Sequence, residues 1–387
     1  MSKYTEITPD VKYIGCDDLD LDLFENQYAV PDGMAYNSYV ILDEKVCVTD
    51  TSDPRTGEMW MRNLEKALGG RTPDYLVVHH CEPDHASLAT AMLQKYPSCK
   101  VVCSKMAETY LTQFNDFDFS GRVQVVKEGD ILNLGRHSLQ FIAASMVHWP
   151  EVLMSYDATD KILFSADGFG KFGALSKETD DWACEARRYY FNICGKYGAQ
   201  VQTVLKKAAA LDIAYICPLH GPVLKGDLKP YLELYDTWSD YRPETKGVFI
   251  AYCTLHGNTE KAALLLAKAL EEKGVEVEMN NLCRDIQSEA VEGAFRYDRM
   301  VLCAPTYDGG MMPLMEDFLN KLKIKGFRNR KVGLVENGSW GPIAAKLMRA
   351  KLEEMKDISF CETVVTIKSS LKADSRACLE TLAEELA

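Results

Sequence analysis

No two of the 13 cysteines stand in a C-x-x-C pair, which excludes a zinc ribbon or a cysteine-held iron–sulfur module within the chain. They are scattered, at 16, 47, 81, 99, 103, 184, 194, 217, 253, 283, 303, 361 and 378. An odd, dispersed set reads as buried, reduced thiols and not as a disulfide framework. The opening residues, Met1-Ser-Lys-Tyr-Thr-Glu-Ile7, hold no apolar signal core, and no run approaches the ~20 apolar residues of a membrane span. Secretion and membrane insertion are not expected, and the expected location is cytoplasmic. Positive charge is also short: 44 Lys and Arg against 57 Asp and Glu leave a net charge of −13. Such a balance opposes binding to a phosphate backbone, so nucleic acid is not an expected partner. Internal repeats and low-complexity tracts are missing too.

What is present is apolar material for two cores. At roughly 150 residues per domain, 387 residues suggest two domains or three, and 47% hydrophobic with 26% charged residues is ordinary for a globular chain. The first half mixes short strands with a few helices. Asn37–Leu42 and Lys45–Asp50 read as a hairpin turning at Asp43-Glu44, and Tyr75–His79 reads as a buried strand. Further strands are expected at 101–104, 123–126, 139–143, 152–156 and 162–165, with helices at 56–68, 86–94, 105–113 and 200–211. This texture suggests stacked sheets under helical cover. The polar segment Tyr241-Arg-Pro-Glu-Thr-Lys-Gly247 reads as a linker. Beyond it, five strands alternate with helices, the pattern of a doubly wound parallel sheet. The expected division is 1–245 and 246–387.

The seven histidines are more telling, because three fall within seven residues: His79-His-Cys-Glu-Pro-Asp-His85. His80, Glu82, Asp84 and His85 place two imidazoles and two carboxylates at the carboxyl end of a strand. Four such donors packed without a cation would leave the carboxylates repelling one another. Two neighbouring ions would use all of them. Further ligand candidates stand at strand-to-loop junctions: His148 in Met146-Val-His-Trp-Pro-Glu151, Asp167 before Gly168, and His220 before Gly221-Pro222. His137 reads as an ordinary satisfied polar residue. His79 reads as a core residue or as support for a neighbouring ligand.

In the second half, the strand 248–252 runs into Thr254-Leu-His-Gly-Asn-Thr259, just as a helix begins. Hydroxyls, a glycine and the helix amino end make a phosphate site without lysine. No G-K-[ST] is present, and this loop has no G-x-G-x-x-G, so a Walker or dinucleotide site is not indicated here. Two more loops follow strand ends: Pro305, Thr306, Tyr307, Asp308, Gly309 and Gly310, then Asn337, Gly338, Ser339, Trp340 and Gly341. They fall where a flat ligand lies in such sheets, with Tyr307 and Trp340 available to its faces. Thr254, Leu255, His256, Gly257, Asn258 and Thr259 complete the candidate cradle.

The order His-x-[His/Glu]-x-Asp-His, followed much later by His, Asp and His, resembles the metal signature of the metallo-β-lactamase fold. Hydrolases of that fold usually carry histidine where this chain has Glu82. The glutamate version, with His148-Trp-Pro and His220-Gly-Pro, resembles the flavodiiron proteins (A-type flavoproteins). The resemblance implies that His80, Glu82 and His148 hold one iron, that Asp84, His85 and His220 hold the other, and that Asp167 bridges. A carboxylate in place of an imidazole suits ferric iron, although a di-zinc or di-manganese centre is compatible with the same donors. The second half resembles flavodoxin, whose ligand is FMN. Where that family's phosphate loop commonly has serine, methionine and an aromatic residue, this chain has Thr254, Leu255 and His256, so the hydroxyl is retained.

The architecture implied is an αββα sandwich of metallo-β-lactamase type followed by a flavodoxin-like five-stranded parallel sheet. The activity implied is reduction of dioxygen to water, of nitric oxide to nitrous oxide, or both. Four electrons are needed for dioxygen, and FMN with a di-iron pair stores two each. Rubredoxin is the implied electron donor, with a reduced deazaflavin cofactor as the alternative. The implied assembly is a head-to-tail homodimer or a dimer of dimers. The rival reading is a metallohydrolase fused to a flavodoxin-like module, with zinc-bound hydroxide as nucleophile. Glu82 is the feature against it.

Overall fold

The computed structural model describes residues 6–177 and 181–387. It divides into two compact units. The first holds Met1–Tyr190 and Ala199–Asp236, and the second holds Phe191–Gly198 and Thr237–Ala387.

The first unit contains two six-stranded sheets. In one, Val11–Tyr13, Tyr39–Leu42, Val46–Thr49, Tyr75–Val77, Lys100–Cys103 and Val123–Val125 lie side by side in chain order. The hairpin expected around Asp43-Glu44 is there, with Tyr39 opposite Thr49 and Leu42 opposite Val46. Alternation then sorts its side chains. Tyr39, Ile41, Cys47, Val77 and Val102 face a core shared with Leu139, Phe141, Leu153, Phe164 and Cys217 of the other sheet. Val40, Val46, Val48, Leu76 and Val101 face the helices, where Trp60, Leu64, Met92 and Leu111 cover them. The result is a two-sheet sandwich, buried between the sheets and under the helices of the first.

The other sheet runs Ile131–Asn133, Ser138–Ala143, Leu153–Asp157, Ile162–Phe164, Tyr215–Cys217 and Leu224–Lys225. One pairing here matters for the site. Ile162–Phe164 and Tyr215–Cys217 are parallel neighbours, with Phe164 opposite Cys217. Chain segments about fifty residues apart in sequence therefore leave the sheet at one edge.

In the second unit all five main strands are parallel, in the order Val277–Asn281, Thr245–Tyr252, Tyr297–Tyr307, Arg328–Asn337, Lys356–Ile367. A short antiparallel strand, Gly310–Met311, folds back on Tyr307. Val248, Ile250 and Tyr252 pack with Leu266 and Leu270 of one helix and Leu382 of another.

Several elements depart from expectation. The first strand of this unit starts at Thr245, three residues early, because Thr245 pairs with Tyr297 across a register shift. The single helix expected at 86–94 is two, Pro83–Ala86 and Ala89–Lys95. Three helices were not expected: Trp182–Ile193, Lys229–Ser239 and Gln287–Arg296. The last carries Gly293 in mid-helix, a residue that weakens helices. A Cβ there would lie 2.5 Å from Phe249, so close approach of helix to strand requires the glycine. No disulfide joins the cysteines, but Cys184 and Cys378 are exposed and not buried. No helix among the described residues is long and apolar enough to cross a membrane.

Candidate functional site

The strand Tyr75–Val77 ends against Asp50, whose carboxylate accepts from His79 N–H at 2.7 Å. His79 itself turns into the core. Its Nδ1 meets Asp50 at 2.6 Å and its Nε2 meets Ser155 Oγ at 2.8 Å. His80 leaves on the opposite side, and the chain then enters a one-turn helix with Pro83 at its first position and Glu82 as its N-cap residue. Glu82 is still extended, at φ −58° and ψ 141°, and the helix begins only after it. Glu82 falls on one side of the pocket, and Asp84 with His85 falls on the other.

Four donors come together in the first group: His80, Glu82, His148 and Asp167. His148 Nε2 is 3.0 Å from Glu82 Oε2 and 3.2 Å from Asp167 Oδ2. His80 Nε2 is 3.2 and 3.3 Å from the same two oxygens. The second group is Asp84, His85 and His220. Asp84 Oδ2 lies 3.4 Å from the Nε2 of both His85 and His220. Asp167 reaches this group with its other oxygen, Oδ1, at 3.4 Å from His85 Nε2 and 3.6 Å from His220 Nε2. One carboxylate therefore faces both groups, one oxygen to each.

The seven side chains are almost wholly buried apart from Glu82, which is partly exposed. Both oxygens of Asp84, both of Asp167 and both ring nitrogens of His85 are buried without a hydrogen-bond partner. Orphan polar atoms in a sealed pocket are costly unless something else satisfies them. Donor atoms about 2.1 Å from a common ion are about 3 Å apart, as here. The donor set fits a pair of cations.

The electrostatics agree. Burial opposes charge on Asp167, yet His80, His148 and His85 hold its carboxyl well below the usual range. Burial works against the charged His148 ring too, but Asp167 and Glu82 raise it to about 9. Burial, with Glu82 and Asp167 nearby, pushes Asp84 up to about 7 against the pull of His85. His220 is driven down to about 3 by burial and by the charge on His85. Three carboxylates crowded into one pocket draw positive charge onto whatever neighbours can carry it.

Three buried residues that sequence reasoning passed over hold the donors in place. Glu151 Oε1 accepts from His80 Nδ1 at 2.7 Å and from Cys81 N–H at 2.9 Å. Asp50 fixes the His79 backbone. Asn37 Nδ2 donates to the carbonyls of Pro218 and Gly221, on both flanks of His220, at 2.8 and 2.7 Å. His220 Nδ1 is tied in turn to Ala35 O, at 2.8 Å. Glu151 stood three residues beyond His148 and could have been suspected; Asn37 and Asp50 carried no local signal. His137 lies elsewhere, in a network with Asp157, Asp10 and Arg136 at 3.0–3.3 Å.

In the second unit, three loops at strand ends enclose a cavity of about 480 Å³, within the usual range for small-molecule sites. Thr254, Leu255, His256, Asn258 and Thr259 form one side. Pro305, Thr306, Tyr307, Asp308 and Gly309 form the second, and Asn337, Gly338, Ser339, Trp340 and Gly341 the third. Gly257 and Gly310 do not line it, while Ser369, which was not expected, does. Gly257 acts on the backbone instead: at φ 78° it precedes the helix Asn258–Glu272, and its N–H donates to Thr254 Oγ1 at 2.9 Å. The free N–H groups of that helix's first turn open on an anion site. No Lys or Arg lines the cavity. Tyr307 is 44% exposed and Trp340 is 94% exposed, so two aromatic rings stand at its rim with open faces. These groups fit a flat, phosphorylated ligand.

The model of the ODP family beta lactamase matches residues 34–221. An uncharacterized protein of Methanocaldococcus jannaschii is 30% identical over 322 residues, 81% of this chain and 80% of that one. A nitric oxide reductase of Moorella thermoacetica is 29% identical over 368 residues, 92% and 91%. The flavodiiron protein of Giardia intestinalis superposes with a TM-score of 0.93 at 25% identity, over 100% of this chain and 97% of that one. This chain belongs to the flavodiiron proteins. Rubredoxin oxygen:oxidoreductase of Desulfovibrio gigas gives a TM-score of 0.91 at 26% identity, covering 99% and 98%. The flavodiiron protein described here is thus an oxidoreductase, and the metallohydrolase alternative falls. Its first unit has the metallo-β-lactamase-like fold.

Proposed function

We propose that this flavodiiron protein reduces dioxygen to water, nitric oxide to nitrous oxide, or both, using two iron ions in the first unit and FMN in the second. The observation that carries this reading is Asp167, whose two oxygens are divided between two His-and-carboxylate groups. His80, Glu82 and His148 hold one ion, Asp84, His85 and His220 the other, and Asp167 bridges them. Residues 1–245 are the metal-binding domain in this reading, and 246–387 the flavin-binding domain. When bound, the iron pair and the flavin supply the electrons, two from each.

The rest is the work of the chain's own side chains. Three carboxylates bring a formal −3 that offsets two dications and favours the more oxidised state of iron. All four ligand imidazoles present Nε2 to the pocket. The Nδ1 atoms of His80 and His220 are bound to Glu151 and Ala35 O, which fixes both rings. Phe24, Tyr36 and Tyr189 ring His220 at centroid distances of 5.3–5.8 Å and keep bulk water from that side. Trp149 stands edge-on to His80 at 5.1 Å. In the second unit, Thr254 and the helix amino end hold the phosphate, and Tyr307 and Trp340 cover the ring.

The names of the Moorella and Desulfovibrio proteins support both gases as substrates and rubredoxin as the electron donor, with a reduced deazaflavin cofactor as the alternative. A head-to-tail homodimer, alone or paired, is the assembly that goes with this reading. The test is metal and flavin analysis followed by anaerobic turnover with nitric oxide and aerobic turnover with dioxygen. About two irons and one FMN per chain, with consumption of at least one gas, are expected. Zinc in the pocket with no gas consumed overturns the reading.

A further inference from the structure

Glu151 is an expensive residue to place where it is. Its side chain is fully buried, and taking an ionised carboxylate out of water costs several kcal/mol. One oxygen is used twice, by His80 Nδ1 and by the Cys81 N–H. The other, Oε2, has no hydrogen-bond partner. The backbone is anchored as well: Glu151 O accepts from Ser104 Oγ at 2.9 Å, and Ser104 caps the helix Lys105–Phe114 through Ala107 N–H at 3.0 Å. The turn that carries the carboxylate is thus tethered to the start of a helix, and the carboxylate is aimed at the back of one imidazole.

Because Nδ1–H donates to Glu151, Nε2 is the ring atom left to face Glu82 and Asp167, and the one that can serve a metal. The bond to Cys81 N–H also clamps the backbone between His80 and Glu82, two donors of the same group. No equivalent carboxylate backs His220, whose Nδ1 has only the neutral Ala35 carbonyl. The two halves of the pocket are therefore supported unequally.

We infer that Glu151 is a positioning residue for the His80 half of the metal centre: it sets the His80 tautomer, holds the ring, and makes that imidazole the stronger donor. The inference rests on the reading of His80 as a metal ligand. Removing such a support costs roughly 10–100-fold in metal affinity. In Glu151→Ala the loss is confined to the ion on His80, Glu82 and His148, while the ion on Asp84, His85 and His220 and the flavin remain. Glu151→Gln keeps an acceptor oxygen for Nδ1 but loses the charge, so its effect lies near the lower end of that range.

The experiment measures iron release from the intact, FMN-loaded protein to a ferrous chelator, with Mössbauer spectra of the ⁵⁷Fe-loaded protein alongside. In the wild type two irons per chain are expected. In Glu151→Ala one of them is released 10–100-fold faster and one of two quadrupole doublets shifts. Glu151→Gln shows a smaller change in the same doublet, a partial rescue that a merely structural role does not produce. Should Glu151→Ala fail to fold, the Gln variant decides: unchanged release and an unchanged spectrum overturn the inference. Equal acceleration of both irons overturns it too, since the support is specific to one half. A wild type that binds no iron refutes the di-iron reading itself, a result distinct from two irons that Glu151 does not affect.

Discussion

Replacing Asn37 by alanine should loosen the proposed metal centre from a distance, and the size of the effect can be worked out. Asn37 is fully buried. Its Nδ2 donates to Pro218 O and Gly221 O, and its Oδ1 accepts from Tyr13 Oη at 3.0 Å. Pro218 O keeps a second donor, Tyr39 Oη, at 2.8 Å. The backbone bond from Asn37 N–H to Leu219 O, also 2.8 Å, survives as well. The substitution thus strands the Gly221 carbonyl and the Tyr13 hydroxyl. At about 1–3 kcal/mol for each of the two buried groups left unpaired, the cost is about 2–6 kcal/mol. For a unit of this size, at about 2–4 °C per kcal/mol, that lowers the melting temperature by about 4–24 °C. The loop so released carries His220, so iron on the Asp84, His85 and His220 side should be lost first, leaving about one per chain. Calorimetry of the intact protein and iron analysis together provide the assay. Asn37→Asp should be at least as damaging, because a carboxylate cannot donate to either carbonyl. A melting temperature within about 1 °C of wild type, with both irons retained, would refute the reasoning.

Three further outcomes are expected. His148→Ala and Asp167→Ala should each abolish consumption of dioxygen and nitric oxide while FMN content stays at one per chain; turnover within twofold of wild type would contradict the assigned roles. Thr254→Val removes the hydroxyl that accepts from Gly257 N–H and should weaken FMN retention about tenfold, equivalent to about 1.4 kcal/mol, with iron content unchanged, as followed by fluorescence of released flavin. His137 is the pH probe: the hydrogen bond to Asp157 holds its pKa above 6.5 in spite of burial. A raised folded pKa means that its contribution to stability is complete below 6.5 and disappears as the pH climbs through the folded value. His137→Ala should therefore destabilise most near pH 6 and progressively less toward pH 9, and a pH-independent difference in urea midpoint would show that the ion pair contributes nothing.

Much of the second unit was legible because local rules govern it. Each strand is a short apolar run, each helix follows at once, and the cradle loops sit at strand ends with their own glycines and hydroxyls. The missed helix Gln287–Arg296 shows where locality fails. Gly293 argues against a helix when read alone, and only the Phe249 ring beside it explains its presence. The aromatic-rich helix Trp182–Ile193 was passed over too: its Arg187, Arg188 and Asn192 are buried along with the aromatic rings, a tertiary outcome that residue type does not announce.

The proposed metal centre divides along the same line. The cluster His80, Glu82, Asp84 and His85 was evident in the sequence, because donors within six residues need no fold to bring them near one another. Even the separation of Glu82 from Asp84 is local, because a helix starts between them. Which distant residues join them was decided by tertiary structure. Asp167 and His220 are 53 positions apart and meet because the strands Ile162–Phe164 and Tyr215–Cys217 lie parallel and adjacent, ending at one edge. Residue types and short spacings are chemical facts that a chain carries unfolded. The pairing of strands, and with it the second oxygen of Asp167, the carboxylate of Glu151 behind His80 and the amide of Asn37 beside His220, comes into being only when two sheets close on a common core.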